Sequence, residues 1–122
     1  MIKVLVADDH ESVRSGLSEL FANYNDVNLV AAVPDGETAV AASAGCQADV
    51  VLMDISMPGI GGIEAVRQIM AACPHTRVLM FSAFSDRGHV ADAMAAGAVG
   101  FVPKGGDPSD LIKEIRQTAQ SY

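Results

Sequence analysis

The chain has 122 residues, of which 50% are apolar and 19% charged, and its formal net charge is −7. That length and apolar share suit one compact domain with a sizeable core and exclude a disordered polar chain. The acidic balance, with no run of Lys or Arg, excludes nucleic-acid binding by this domain itself, which needs a clustered basic surface.

The predicted elements alternate. Lys3–Ala7 is a continuously apolar run of strand length. Val13, Leu17, Leu20 and Phe21 then follow i, i+4, i+7 and i+8, one face of a helix. Leu29–Val33 reads as a second strand, and Pro34-Asp35-Gly36 breaks it before an Ala-rich segment, Gly36–Ala44, best read as helix. Val50–Met53 is a third strand, ended by a loop through Met57-Pro58-Gly59. The Gly59–Gly62 stretch matches no nucleotide fingerprint and reads as a flexible loop. Val66, Ile69, Met70 and Cys73 mark a third helix, closed by Pro74-His75. Val78–Phe81 is a fourth strand, and Val90, Ala93, Met94 and Gly97 give the next helix the same spacing. Val99–Val102 is a fifth strand, followed by the loop Pro103-Lys104-Gly105-Gly106. Asp107-Pro108 suits a cap and first-turn proline for a last helix, with Leu111, Ile115 and Ala119 on one face.

Five alternations of strand and helix imply a three-layer, doubly wound α/β sandwich: a five-stranded parallel sheet with five helices on its two faces. Right-handed crossovers leave few topologies, and the flavodoxin-like order 2-1-3-4-5 leads. Residues 1–122 form a single domain on this reading. No apolar run spans a bilayer, and the apolar start is too short for a secretory signal before Asp8 and Asp9 follow. A cytoplasmic protein is expected, with Cys46 and Cys73, which lack metal-ligand spacing, as reduced thiols.

In a parallel sheet all carboxyl ends of the strands share one edge, where ligand sites gather. The polar residues there are Asp8 and Asp9 after the first strand, Asp54 and then Ser56 after the third, Ser82 after the fourth and Lys104 after the fifth. Three carboxylates brought together repel one another, and a hard cation with oxygen ligands relieves that repulsion. Magnesium fits, with Asp8 and Asp9 holding it, Asp54 as ligand and nucleophile, and the Ser56 backbone carbonyl completing the set. Lys104 offers a compact charge and Ser82 a hydroxyl for the oxygens of a phosphoryl group. The set suits phosphoryl transfer onto Asp54. Taken singly, Asp8-Asp9 could cap a helix, Asp54 sit in a turn, Ser82 end a strand and Lys104 be solvated. His10, His75 and His89 lack metal-ligand spacing and are read as surface or locally bonded residues, His10 lying near the acidic crevice.

Asp8-Asp9-His10, Asp54-Ile55-Ser56-Met57-Pro58-Gly59, Ser82-Ala83 and Gly100-Phe101-Val102-Pro103-Lys104, in that order on the strand ends, resemble the receiver domains of bacterial two-component response regulators. The resemblance covers essentially the whole chain. It implies that Asp54 is phosphorylated by a sensor histidine kinase with Mg2+, with Asp9 the more direct metal ligand of the acidic pair. It makes Ser82 the switch hydroxyl, Phe101 the switch aromatic that rotates inward, and Lys104 the lysine on the phosphoryl group. Asp-Asp-His and the Gly-Ala-Val-Gly-Phe approach look most like receivers joined to a LuxR-type helix-turn-helix DNA-binding domain, which would lie beyond residue 122. Output through Asp86–Ala96, Val99–Val102 and Asp107–Gln120, with homodimerisation on phosphorylation, is implied as well.

The match has departures. Pro103 precedes Lys104 and Gly105 follows it, so no cis bond is expected after the lysine. Gly61 stands where many receivers carry an acidic cap on the third helix. Ser56 and Phe84 flank the family's route for hydrolytic water, and Phe84 is expected to shield the phosphoryl group. Two other classes compete. A haloacid-dehalogenase-type phosphohydrolase needs a second aspartate two residues after the nucleophile, where Ser56 stands. A flavodoxin-like cofactor binder needs a Ser/Thr/Gly-rich loop after the first strand, where two carboxylates stand. Neither turnover of an outside substrate nor a cofactor other than Mg2+ is therefore expected. A receiver that only docks partners is a further alternative.

Overall fold

The computed structural model describes residues 1–45 and 47–120, apart from the Phe84 side chain. Its elements in order are β1 (Ile2–Ala7), α1 (Glu11–Phe21), β2 (Val27–Val33), α2 (Gly36–Ser43), β3 (Val50–Met53) and α3 (Gly61–Ala72). They continue with β4 (Arg77–Ser82), a 3-10 helix over Phe84–His89 running into α4 (Val90–Ala96), β5 (Gly100–Pro103) and α5 (Pro108–Gln120). All strand pairs are parallel, in the order β2-β1-β3-β4-β5 expected from the sequence.

The central strands are apolar throughout because both faces are covered. Side chains alternate across the sheet, so neighbours in sequence enter different cores. Leu5, Ala7, Val51, Met53, Val78 and Met80 join Ala65, Val66 and Ile69 of α3 on one side. Val4, Val6, Val50, Leu52 and Leu79 meet Leu17 and Phe21 of α1 and Leu111, Ile112 and Ile115 of α5 on the other. β2 starts at Val27 rather than at Leu29, in register with Ile2. As an edge strand it alternates in burial, and exposed Asn28 breaks the apolar run that marks an interior strand. β5 starts one residue later than expected, because Val99 is 46% exposed and the pairing begins at Leu79↔Gly100.

Capping follows the side chains. The Asp35 carboxylate accepts from the Thr38 amide at 2.8 Å and starts α2. Asp107 accepts from the Ser109 amide and hydroxyl, both at 2.9 Å, ahead of Pro108. Gly61, expected as a cap, is instead the first residue of α3 with φ 77°, and Ile60 before it supplies no side-chain cap. The Glu37 carboxylate of α2 accepts from the Ile60 amide at 2.8 Å. Among the described residues there is no cis peptide bond, and none follows Lys104, as expected.

Two expectations are corrected. Asp86–Ala96 is not one helix: its first part is 3-10, with the Asp86 amide bonded to the Ala83 carbonyl at 2.9 Å, and Gly88 withholds helix propensity there. The α-helical part is short and buries Ala93, while Met94 is 43% exposed rather than on the buried face. Cys73 is disulfide-bonded, not a reduced thiol. The expectation rested on sequence spacing, which does not reveal that α3 ends against α2, with Cys73 Sγ 3.0 Å from the Ser43 carbonyl oxygen. Cys46 lies outside the described residues. No described helix is long and apolar enough to cross a membrane.

Candidate functional site

The order of the sheet reverses between β1 and β3, and the site lies at the carboxyl ends of these strands. The ladder is extended one residue past each strand. The Asp8 amide donates to the Val33 carbonyl and the Asp54 amide to the Ala7 carbonyl, both at 3.0 Å. These bonds hold the two carboxylates side by side although both residues are buried, Asp8 at 1% and Asp54 at 3% exposure. Arg14 of α1 donates to the Asp8 carbonyl at 2.6 Å and ties α1 to the same corner. The Lys104 amide donates to the Ser82 carbonyl at 2.8 Å, bringing the ends of β4 and β5 together.

The expected residues converge. Lys104 Nζ donates to Asp54 Oδ2 at 3.0 Å and lies 2.5 Å from Asp8 Oδ2. Ser82, wholly buried as the last residue of β4 rather than the first after it, donates from Oγ to Asp54 Oδ1 at 2.6 Å. It also accepts from the Ile55 amide at 3.2 Å. The Ser56 amide donates to Asp54 Oδ1 at 3.2 Å. Burial alone would lower the Lys104 pKa, but hydrogen bonds and charge from Asp8 and Asp54 outweigh it and hold the ammonium above its ordinary value. Phe101 of β5 is half-buried against the α2–α4 core. Phe84 opens the 3-10 helix, and its side chain lies outside the described part.

One ammonium among these carboxylates does not satisfy them. Asp8 Oδ2 is buried, and among the described residues the Lys104 ammonium alone meets it. Ligand atoms of Asp8, Asp9, His10 and Asp54 lie within 4.8 Å of one another. Buried carboxylate oxygens that share one ammonium, in an oxygen-rich cluster, fit a hard cation.

Sequence reasoning placed His10 near the acidic crevice and missed one contributor, Asp86. His10 Nδ1 lies 3.2 Å from both Asp8 Oδ1 and Asp9 Oδ1, so the histidine adjoins the cluster. The Asp86 carboxylate lies 2.8 Å from Ser82 Oγ, as a second acceptor for the same hydroxyl proton, and accepts from Ser56 Oγ at 3.2 Å. Adjacency to Asp9 was the available signal for His10; Asp86 had none, because it lies within a segment read as one helix.

Comparison with known proteins gives the same picture. The response regulator UvrY of Escherichia coli K12 is 39% identical over 116 residues, 95% of this chain and 53% of its own length. The chain thus spans about half the length of the curated relatives it matches. The receiver domain of the putative response regulator NarL of Mycobacterium tuberculosis superposes with a TM-score of 0.91 at 30% identity, over 99% of this chain and 98% of that one. The response regulator domain of Thermotoga maritima CheB gives 0.91 at 33% identity, over 100% and 98%. The response regulator receiver domain pattern matches residues 4–116, and the chain belongs to that family.

Proposed function

We propose that this receiver accepts a phosphoryl group on Asp54 from a sensor histidine kinase. The observation that carries the reading is the pairing of the two Asp54 oxygens, one with Ser82 Oγ at 2.6 Å and the other with Lys104 Nζ at 3.0 Å. These donors stand ready for the oxygens of an incoming phosphoryl group. Asp54 attacks phosphorus with a carboxylate oxygen, the bond to the kinase imidazole nitrogen breaks, and the imidazole leaves with that electron pair. Lys104 and Ser82 then bind phosphoryl oxygens. Asp8, Asp9, Asp54 and the Ser56 carbonyl would hold Mg2+, which would supply charge neutralisation for the carboxylates and the transferring group.

Hydrolysis of the acyl phosphate by water resets the domain, and no outside substrate turns over. Ser82 moving to the phosphoryl group and Phe101 turning inward shift the balance of two states read at α4, β5 and α5. The full protein is a cytoplasmic transcription regulator with a helix-turn-helix output domain beyond residue 122, dimerising on phosphorylation. Its likeness to response regulators about twice this length supports that part of the reading.

Incubation with acetyl phosphate and Mg2+, followed by intact mass, tests the assignment. One phosphoryl adduct is expected, absent in Asp54→Asn and after chelation. A folded wild-type protein that takes no adduct would refute it.

A further inference from the structure

Asp86 is a carboxylate at the mouth of the site but outside the cluster of Asp8, Asp9, His10 and Asp54. It faces Ser82 Oγ at 2.8 Å, while the same oxygen faces Asp54 Oδ1 at 2.6 Å. A serine hydroxyl carries one proton and donates it to one acceptor at a time. Ser82 is wholly buried, so its choice lies between protein groups rather than water. Asp86 is further fixed by the Ser56 hydroxyl at 3.2 Å and by its own amide, bonded to the Ala83 carbonyl at 2.9 Å.

We infer that Asp86 is a positioning residue, a latch that holds the Ser82 hydroxyl in the resting arrangement by competing for its single proton. The inference rests on Asp54 as phosphoryl acceptor. A phosphoryl group there brings a new acceptor for that proton, and Ser82 must leave Asp86 to meet it. Asp86 belongs to the 3-10 helix that continues into α4, so release of Ser82 also frees that segment. The latch thereby sets the resting bias against the active state and links the hydroxyl to the start of α4. A ligand shifts such a balance only by its differential affinity for the two states, so removing the competitor strengthens binding of the phosphoryl group.

The test is a double-mutant cycle read by binding of beryllofluoride, a phosphoryl mimic, in Mg2+, followed through backbone amide shifts. Asp86→Asn, and Asp86→Ala as a second variant, are expected to bind about threefold to tenfold more tightly than wild type, the scale of one hydrogen bond. In a Ser82→Ala background the gain should largely vanish, because no hydroxyl remains to be held. A gain of the same size in that background would show that Asp86 acts through charge alone and would overturn the latch, as would no gain at all. A second measurement needs no mimic: Ser82→Ala alone should speed hydrogen exchange at the Asp86 amide, and unchanged exchange would overturn the latch. If wild type does not bind beryllofluoride, the Asp54 assignment falls and the latch with it; binding with a flat cycle removes the latch alone.

Discussion

The same substitution, glycine to alanine, should have opposite effects at two helical positions. Gly62 lies at the second position of α3, with its amide bonded to the Ile55 carbonyl at 3.1 Å. A β-carbon there would stand 2.0 Å from the Asp54 carbonyl oxygen and 2.9 Å from both the Asp54 carbonyl carbon and the Ile55 α-carbon. All three are backbone atoms, so no side chain can turn aside. The segment after β3 must retreat by about 1 Å or more to restore a tolerable contact. Such overpacking costs about 1–3 kcal/mol, against which the better helix propensity of alanine returns at most about 1 kcal/mol. Gly16, in the middle of α1, has nothing within 4 Å of its would-be β-carbon. Gly16→Ala should therefore stabilise by about 0.5–1 kcal/mol. Urea unfolding of the two variants and wild type gives the comparison. Because the displaced backbone carries Asp54, Gly62→Ala should also slow labelling by acetyl phosphate, while Gly16→Ala should not. A Gly62→Ala protein as stable as wild type and labelled at the same rate would refute the packing argument.

Lys104→Ala should destabilise the metal-free protein by about 1–3 kcal/mol, because it leaves two buried carboxylates without their cation; the partial exposure of Lys104 keeps the loss below that of a fully buried pair. Saturating Mg2+ should raise wild-type stability, by about 2.7 kcal/mol at a hundredfold excess over Kd, and should rescue Lys104→Ala by more; equal shifts in urea midpoint would argue against a shared site. Acid should weaken the fold through groups outside the site. Asp26 is held below its ordinary pKa by hydrogen bonding to Arg116, Asp35 by bonds from Thr38 and Asp107 by bonds from Ser109. A lowered folded-state pKa contributes stability above the unfolded value of 3.8 and loses it as pH falls through the folded value. Urea midpoints should thus drop below about pH 4, with a smaller drop in Asp35→Asn; an identical drop would count against that cap.

Much of the site was legible because it depends on topology. Once the strands are parallel, residues just past their ends must meet, so Asp8, Asp54 and Lys104 could be grouped from sequence. The core strands were equally plain, since Val50–Met53 is apolar on both faces. What stayed hidden depends on contacts between elements. Periodicity placed Met94 with Val90 and Ala93, but not how little of α4 the fold buries. Spacing could not pair Cys73, and nothing in the local sequence told Asp86 to face Ser82 rather than solvent. The Phe101 and Ser82 switch roles came only from the resemblance, because a change between two arrangements leaves no trace in residue spacing.

Asp8, Asp54, Ser82 and Lys104 come from the ends of four strands, and Lys104 reaches Asp54 across 50 residues of sequence. A fragment that lacks any of these four strands lacks part of the site. On the proposed function, a nascent, misfolded or clipped copy that lacks the donors around Asp54 stays silent, because it has nowhere to receive the signal. The geometry acts as proofreading: only a chain that has completed its sheet can be addressed, so damage reads as absence of a message rather than as a false one.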